Sequence, residues 1–270
     1  MYIVHKITER ILQIKEPMDV CVTLIIGDKK ALLLDTEFGL LDLKSFVESL
    51  TSLPLVVVNS HGHIDHANGN FRFEKVYLNL ADTEVATSHT SIAMKSQVLE
   101  NGKKAGISLE GYSEEAYINS AYGSVEHLEE GKVFDLGGIT LEVIYAPGHT
   151  PGSICLLCKE ERILLTGDAA NERLFLMGKS GTTLEESLDV YKNTLKKLMA
   201  LDIDRLLSSH STIATSKSRL DNYMHCASTM TLQKCEEVEL HLSSVVKTLM
   251  YTDSEAMETG KCPAICYFNR

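Results

Sequence analysis

Apolar positions along the chain fall mostly into short continuous or alternating runs, with helical spacing in a few places. Ile3 to Ile14, Val20 to Ile26 and Ala31 to Leu34 are rich in β-branched and aliphatic residues and predict strands. Gly27-Asp28-Lys29-Lys30 supplies a hairpin turn between the last two. Leu40, Leu41, Leu43, Phe46, Val47 and Leu50 follow at near-helical spacing, which predicts a helix over one sheet face before Leu55-Val56-Val57-Val58 opens the next strand. Later, Thr183-Leu184-Glu185-Glu186 has the form of a capping box. Leu184, Leu188, Tyr191, Leu195 and Leu198 then carry a helical stripe up to Leu201. This alternation predicts an α/β sandwich.

An internal echo points to two similar halves. Gly27 to Asp35 and Lys159 to Asp168 are each a charged turn, an apolar strand and a terminal aspartate, and Val56 to His61 parallels Arg205 to His210. Facing halves of this kind bring both sets of strand ends to one edge. Residues 80–130 are less regular: short helices are expected from Ala81 and from Ser91 to Leu99, with breaks at residues 102–106 and 111–113. Within it, Tyr112, Tyr117 and Tyr122 suit a pocket lip or a packing stripe, and His89 and His127 are either substrate contacts or, more simply, ordinary partly exposed histidines. After His210, Lys217 to Lys234 carries a helical stripe, Val238 to Met250 is amphipathic, and Cys262 to Arg270 suits a strand. The division expected is a main unit over residues 1–212 and a C-terminal extension over 213–270, docked near the cleft or used in a homodimer.

Composition narrows the class. The 270 residues are 44% hydrophobic and 23% charged, enough for one well-buried core and incompatible with a fibrous or disordered chain. A formal net charge of -11 makes nucleic acid an unfavoured partner, since such binding rests on Lys and Arg neutralising phosphates. No stretch approaches the roughly 20 apolar residues of a membrane helix, and the first residues lack a basic start followed by an apolar segment, so a cytoplasmic protein is expected. The seven cysteines are scattered through apolar segments and are expected to be reduced, mostly buried thiols. Cys155 and Cys158 lie in a predicted strand, where positions three apart face opposite sides.

The chemistry concentrates in His61-Gly62-His63-Ile64-Asp65-His66, at the end of the strand beginning at Leu55. Three imidazoles and a carboxylate in six residues are hard to explain as packing, and they suit a borderline-soft divalent metal. If the backbone is still extended, His61 and His63 point the same way, whereas Asp65 and His66 need a turn to redirect them. One cluster can thus serve two adjacent metals, but it cannot complete both shells. Three further candidates each end an apolar run: His149 after Leu141 to Tyr145, Asp168 after Ile163 to Leu165, and His210 after Leu206 and Leu207.

Taken together, these residues resemble the metallo-β-lactamase superfamily, whose HxHxDH motif, later His, later Asp and final His are matched at every position between about residues 20 and 212. The resemblance implies a four-layer αββα sandwich of two mixed β-sheets with helices outside. It also implies that His61, His63 and His149 hold one metal, that Asp65, His66 and His210 hold a second, and that Asp168 bridges them. Asp35 then orients a ligand histidine or a motif loop, and residues 80–130 overhang the cleft. Lys179, in the loop after Asp168, is a solvated lysine or, given that position, a substrate-anion contact. Two divalent ions, zinc first and iron or manganese as alternatives, would activate water to cleave a small ester-like substrate, with Asp65 as the catalytic residue. Thioesters of the glyoxalase II kind and lactones are the substrates expected. Phosphodiesterase or nuclease activity, di-iron redox chemistry and a non-enzymatic metal scaffold are the alternatives. The resembling di-iron branch carries a carboxylate where this chain has His63, which weighs against it.

Overall fold

The computed structural model describes residues 1–171, 173–177, 181–241, 245–251 and 264–267. The first sheet is built in chain order from β1 (Ile3–Lys6), β2 (Ile11–Lys15), β3 (Cys21–Ile26), β4 (Ala31–Leu34), β5 (Leu55–Val58), β6 (Val76–Leu78) and β7 (Val125–His127). The run from Ile3 to Ile14, expected as one strand, is instead a hairpin. The Thr8 hydroxyl accepts from the backbone N–H groups of both Arg10 and Ile11, which folds a tight turn without glycine or proline. Strands β1 to β4 are antiparallel, and β4 to β7 pair in parallel.

Helix α1 (Leu43–Leu50) connects β4 to β5. Its N-cap Asp42 accepts from the Ser45 N–H, and Leu43 and Val47 are buried. They pack with Ala31, Leu33, Val22 and Leu24 on the outer face of this sheet. Between β5 and β7 the chain forms α2 (Ile64–Ala67), α3 (Thr83–His89), α4 (Ile92–Lys104) and α5 (Glu114–Ile118), so the irregular segment is more helical than its sequence suggests.

The second sheet contains β8 (Val133–Asp135), β9 (Thr140–Tyr145), β10 (Ile154–Cys158) and β11 (Ile163–Gly167). The chain then makes β12 (Arg173–Leu176) and α6 (Leu184–Met199), before β13 (Arg205–Ser208) and β14 (Thr215–Ser216) complete this sheet beyond β11. The echo in the sequence is an echo in topology: β4 runs antiparallel to β3 and parallel to β5, as β11 does to β10 and β13.

Alternation along the strands sorts their side chains into layers. Leu32 and Leu34 of β4 meet Ile154, Leu156, Cys158, Ile163 and Leu165 between the two sheets. Cys155, Leu157 and Leu164 face outward, against Leu188, Tyr191 and Leu195 of α6. Helix, sheet, sheet and helix therefore stack as the four-layer αββα sandwich expected, and Cys155 and Cys158 do face opposite sides.

The remaining elements are α7 (Arg219–Thr229), which packs on α6, and β15 (Glu236–His241), β16 (Val245–Tyr251) and β17 (Ala264–Tyr267). Within the stretch from Val238 to Met250, β15 pairs antiparallel with β16. With β12 these strands form a third sheet in the order β12-β17-β16-β15, β17 lying parallel to β12. Residues after 212 are thus hydrogen-bonded to a segment that directly follows Asp168. Cys21, Cys155, Cys158, Cys235 and Cys266 are reduced thiols, whereas Cys226 is disulfide-bonded and departs from the expectation of reduced thiols. Spacing in sequence does not reveal which cysteines a fold brings together.

The capping box at α6 is formed in both directions: the Thr183 hydroxyl accepts from the Glu186 N–H at 3.2 Å, and the Glu186 carboxylate accepts from the Thr183 N–H at 2.7 Å. Thr183→Ala removes one half of it and is expected to cost about 1 kcal/mol. Urea unfolding of the two proteins, with an unchanged slope and a lowered midpoint, checks this.

Candidate metal centre

The ends of β5, β11 and β13 lie along one edge of the sandwich, and each delivers candidate ligands. After β5 the chain turns through Asn59 and Ser60 into His61, and α2 supplies the turn that Asp65 and His66 require. His149 follows β9 in the loop before β10, Asp168 follows β11, and His210 lies two residues beyond β13. All seven side chains named from the sequence meet there. They form overlapping groups whose donor atoms lie within 4.8 Å of one another: His61, His63 and His149; His61, His66 and Asp168; and Asp65, His66 and His210.

The first group is buried, with His61, His63 and His149 exposed by 1%, 6% and 2%. His149 Nδ1 lies 2.7 Å from the Phe175 carbonyl, which can only accept, so the ring proton sits on Nδ1 and the Nε2 lone pair faces inward. A similar argument fixes His61. The Ser60 hydroxyl donates to Asp35 at 2.8 Å, so it accepts from His61 Nδ1, and the His61 Nε2 lone pair also faces inward. These two lone pairs are 3.2 Å apart, and His63 Nδ1 is 3.0 Å from each. Such an arrangement is repulsive unless positive charge sits between the nitrogens. Tetrahedral ligands at metal–nitrogen distances of about 2.0 Å lie about 3.3 Å apart, so the observed spacing fits a single cation.

The second group opens toward solvent. His66 is fully buried, whereas the side chains of Asp65 and His210 are 24% and 30% exposed. His66 Nδ1 donates to Asp35 at 2.9 Å and His210 Nδ1 donates to the Asp19 carbonyl at 3.2 Å, so both Nε2 atoms point at carboxylates. His66 Nε2 is 3.4 Å from Asp65 and 3.6 Å from Asp168, and His210 Nε2 is 3.6 Å from Asp65 and 3.3 Å from Asp168. Asp168 also approaches His149 Nε2, at 3.6 Å, and so spans both groups. Among the described residues, its Oδ1 and the Nε2 atoms of His63 and His66 are buried with no hydrogen-bond partner. Orphaned donor atoms of this kind are costly, and a bound cation would relieve those that face the centre.

Electrostatics divides the two groups. Burial, with the neighbouring histidines, drives the His61 and His63 pKa values well below the ordinary range, and burial lowers that of His149. These rings are neutral and ready to coordinate. Burial also works against a charged His210, but Asp168 outweighs it and its pKa is pushed up to about 9. Burial alone would raise the Asp65 and Asp168 carboxyls, yet the facing histidines hold both below the usual carboxylate range.

Asp35 gathers the surroundings of the centre. It sits in the left-handed backbone region (φ 71°) just after β4, is fully buried, and accepts from Ser60 N–H, the Ser60 hydroxyl, His66 Nδ1 and the Ser209 hydroxyl. One carboxylate therefore ties together the ends of β4, β5 and β13. Two residues near the centre make contacts that the sequence does not announce. Asp82, immediately before α3, is fully buried and accepts from the N–H groups of Gly62 and Gly152. His89, at the end of α3, stacks on His63 with ring centroids 4.5 Å apart rather than standing free. Its position between His63 and the α3–α4 turn carries no periodic signal. His127 is exposed on β7, Tyr117 is a core residue whose hydroxyl donates to the Phe38 carbonyl, Tyr112 packs over the Arg72 guanidinium, and Lys179 lies outside the described residues.

Comparison with known proteins agrees with the fold. The pattern described as the metallo-beta-lactamase superfamily matches residues 17–210, and the chain belongs to that superfamily. It is similar to the acyl-coenzyme A thioesterase MBLAC2 of Homo sapiens, with 27% identity over 159 residues, covering 54% of this chain and 57% of the relative; the match thus spans little more than half of that protein. An atrochrysone carboxyl ACP thioesterase of Paecilomyces divaricatus is 38% identical over 88 residues, 33% of this chain and 26% of the relative. Among solved structures, a beta-lactamase domain protein from Burkholderia ambifaria shares the fold with a TM-score of 0.63 at 16% identity, covering 86% of this chain and 76% of the other.

Protein stripped by a chelator is expected to unfold at a lower temperature, and added zinc to restore the midpoint in proportion to its free concentration. Because His210 holds a proton until about pH 9, any zinc ion that takes this ring as a ligand has to displace that proton. Zinc uptake near neutral pH should therefore release protons, and affinity should rise as the pH is raised toward that value. Calorimetry in buffers of different ionisation enthalpy measures this release; uptake without it would contradict the assigned charge state.

Proposed function

We propose that this protein is a dinuclear metal-dependent hydrolase that cleaves acyl thioesters. The observation that carries this is the convergence of seven side chains into two groups sharing Asp168, one sealed and one open to solvent. A structural metal needs only four ligands and a closed shell, so a partly open site with Asp65 at its mouth favours catalysis over a scaffold. In this reading His61, His63 and His149 hold one ion, Asp65, His66 and His210 the other, and Asp168 lies between. Imidazole and carboxylate donors with no sulfur suit zinc. The thioester reading leans on relatives whose names specify acyl-coenzyme A and acyl-carrier-protein thioesters. Among the described residues no helix is long and apolar enough to cross a membrane; the five reduced thiols favour the cytoplasm as the compartment, the bonded Cys226 being the exception.

When bound, paired cations lower the pKa of water and polarise a carbonyl. The chain's own residues do the rest. Asp35 holds His66 in the tautomer that presents Nε2, and the Phe175 and Asp19 carbonyls do the same for His149 and His210. Asp65 is kept ionised by His66 and His210 beside it, and its partly exposed carboxylate can take a proton from the attacking water and pass it to the departing sulfur. Burial of the three-histidine group keeps bulk water off that side, so substrate enters past Asp65 and His210.

The test is a panel of acyl-coenzyme A, lactone and phosphodiester substrates offered to the zinc-loaded protein. Thioester cleavage is expected to dominate, and Asp65→Asn is expected to lower kcat by about 100-fold or more while the fold is kept. Preferential cleavage of a phosphodiester or lactone would overturn the substrate assignment. Tightly bound zinc with no turnover on any class would leave a scaffold.

A further inference from the structure

The short segment from Asp82 to His89 touches the three-histidine group at three successive levels, and no step of the chemistry above uses it. At its start, Asp82 accepts three hydrogen bonds: from Gly152 N–H at 2.5 Å on one oxygen, and from Gly62 N–H at 2.8 Å and the Thr150 hydroxyl at 2.6 Å on the other. Gly62 lies between His61 and His63, while Thr150 and Gly152 follow His149. The carboxylate therefore ties together the two loops that must meet for these three imidazoles to converge. In its middle, Ala86 leaves Gly62 no room: a Cβ on Gly62 would come 2.9 Å from both the Ala86 nitrogen and the Asp82 carbonyl oxygen. Likewise a Cβ on Gly152 would lie 2.7 Å from the Asp82 carboxylate. At its end, His89 stacks on the His63 ring at 25° between planes.

We propose that Asp82 is a positioning residue for the sealed metal site, and that residues 82–89 brace His61, His63 and His149 without supporting the open site. The asymmetry follows from the contacts. Asp35 reaches His66 directly and His61 through Ser60, whereas the hydrogen bonds of Asp82 go to Gly62, Thr150 and Gly152. A buried carboxylate with three donors fixes the separation of the two loops more tightly than an amide can, since Asn presents N–H groups where a backbone N–H already points. Releasing that separation moves His149 relative to His61 and His63, and ligand spacing is what such a site depends on.

This inference rests on the two-metal reading, and zinc alone is the probe. In wild-type protein two zinc ions should compete with a chromophoric chelator. In Asp82→Asn one of them is expected to bind about 10- to 100-fold more weakly while the other is unchanged. Imidazole nitrogen NMR should then show His61, His63 and His149 losing their metal-bound shifts while His66 and His210 retain theirs. Thr150→Val deletes one of the three donors, should move the same ion by less, and carries the test if Asp82→Asn does not fold. Two zinc ions held in a variant at wild-type affinity, or both weakened equally, would overturn the brace alone. A wild-type protein that binds fewer than two overturns the two-metal reading and this inference with it.

Discussion

Everything at this edge of the sandwich answers one electrostatic problem: imidazole lone pairs and two carboxylates are packed toward a common space where water is mostly excluded. Bringing them together is unfavourable without positive charge between them. The fold holds them there nonetheless, because four of the five rings are hydrogen-bonded from behind and the fifth, His63, is stacked on His89. His61 donates to Ser60, His66 to Asp35, His149 to the Phe175 carbonyl and His210 to the Asp19 carbonyl. The layered core makes such anchors rigid: β4, β5, β11 and β13 carry aliphatic side chains on both faces and end together, so loops at their ends inherit fixed positions.

Much of this was legible in the amino-acid pattern. A strand buried on both faces reads as an unbroken apolar run, and here such runs end in Asp35, Asp168 and, two or three residues on, His61 and His210, which marked both the strands and the edge. The α6 helix announced itself through its capping box and stripe. The hairpin within Ile3 to Ile14 did not, because a threonine hydroxyl closes that turn in place of the usual glycine or proline. Asp82 was invisible for a different reason. An aspartate beside a predicted helix start reads as a cap, but its partners lie 20, 68 and 70 positions away. Only the assembled loops disclose its contacts.

The two halves of the molecule also divide labour unequally. The first supplies His61, His63, Asp65 and His66 from one compact motif; the second supplies one residue from each of three strand ends. Equivalent strands thus carry unequal chemistry, and the link between halves runs through backbone contacts such as Ile154 N–H to the Ser60 carbonyl and Cys21 N–H to the Ser209 carbonyl. Those contacts set the sheet edges at one level, which lets Asp168 reach across from one group to the other.

The third sheet adds an order of events to this picture. The Phe175 carbonyl that orients His149 belongs to β12, and β12 is hydrogen-bonded to β17 near the end of the chain. During synthesis the ligands emerge in sequence from His61 to His210, yet the partner strand of β12 follows more than fifty residues after the last of them. A growing chain therefore possesses every donor atom well before the strand that pairs with the support of His149 has been made.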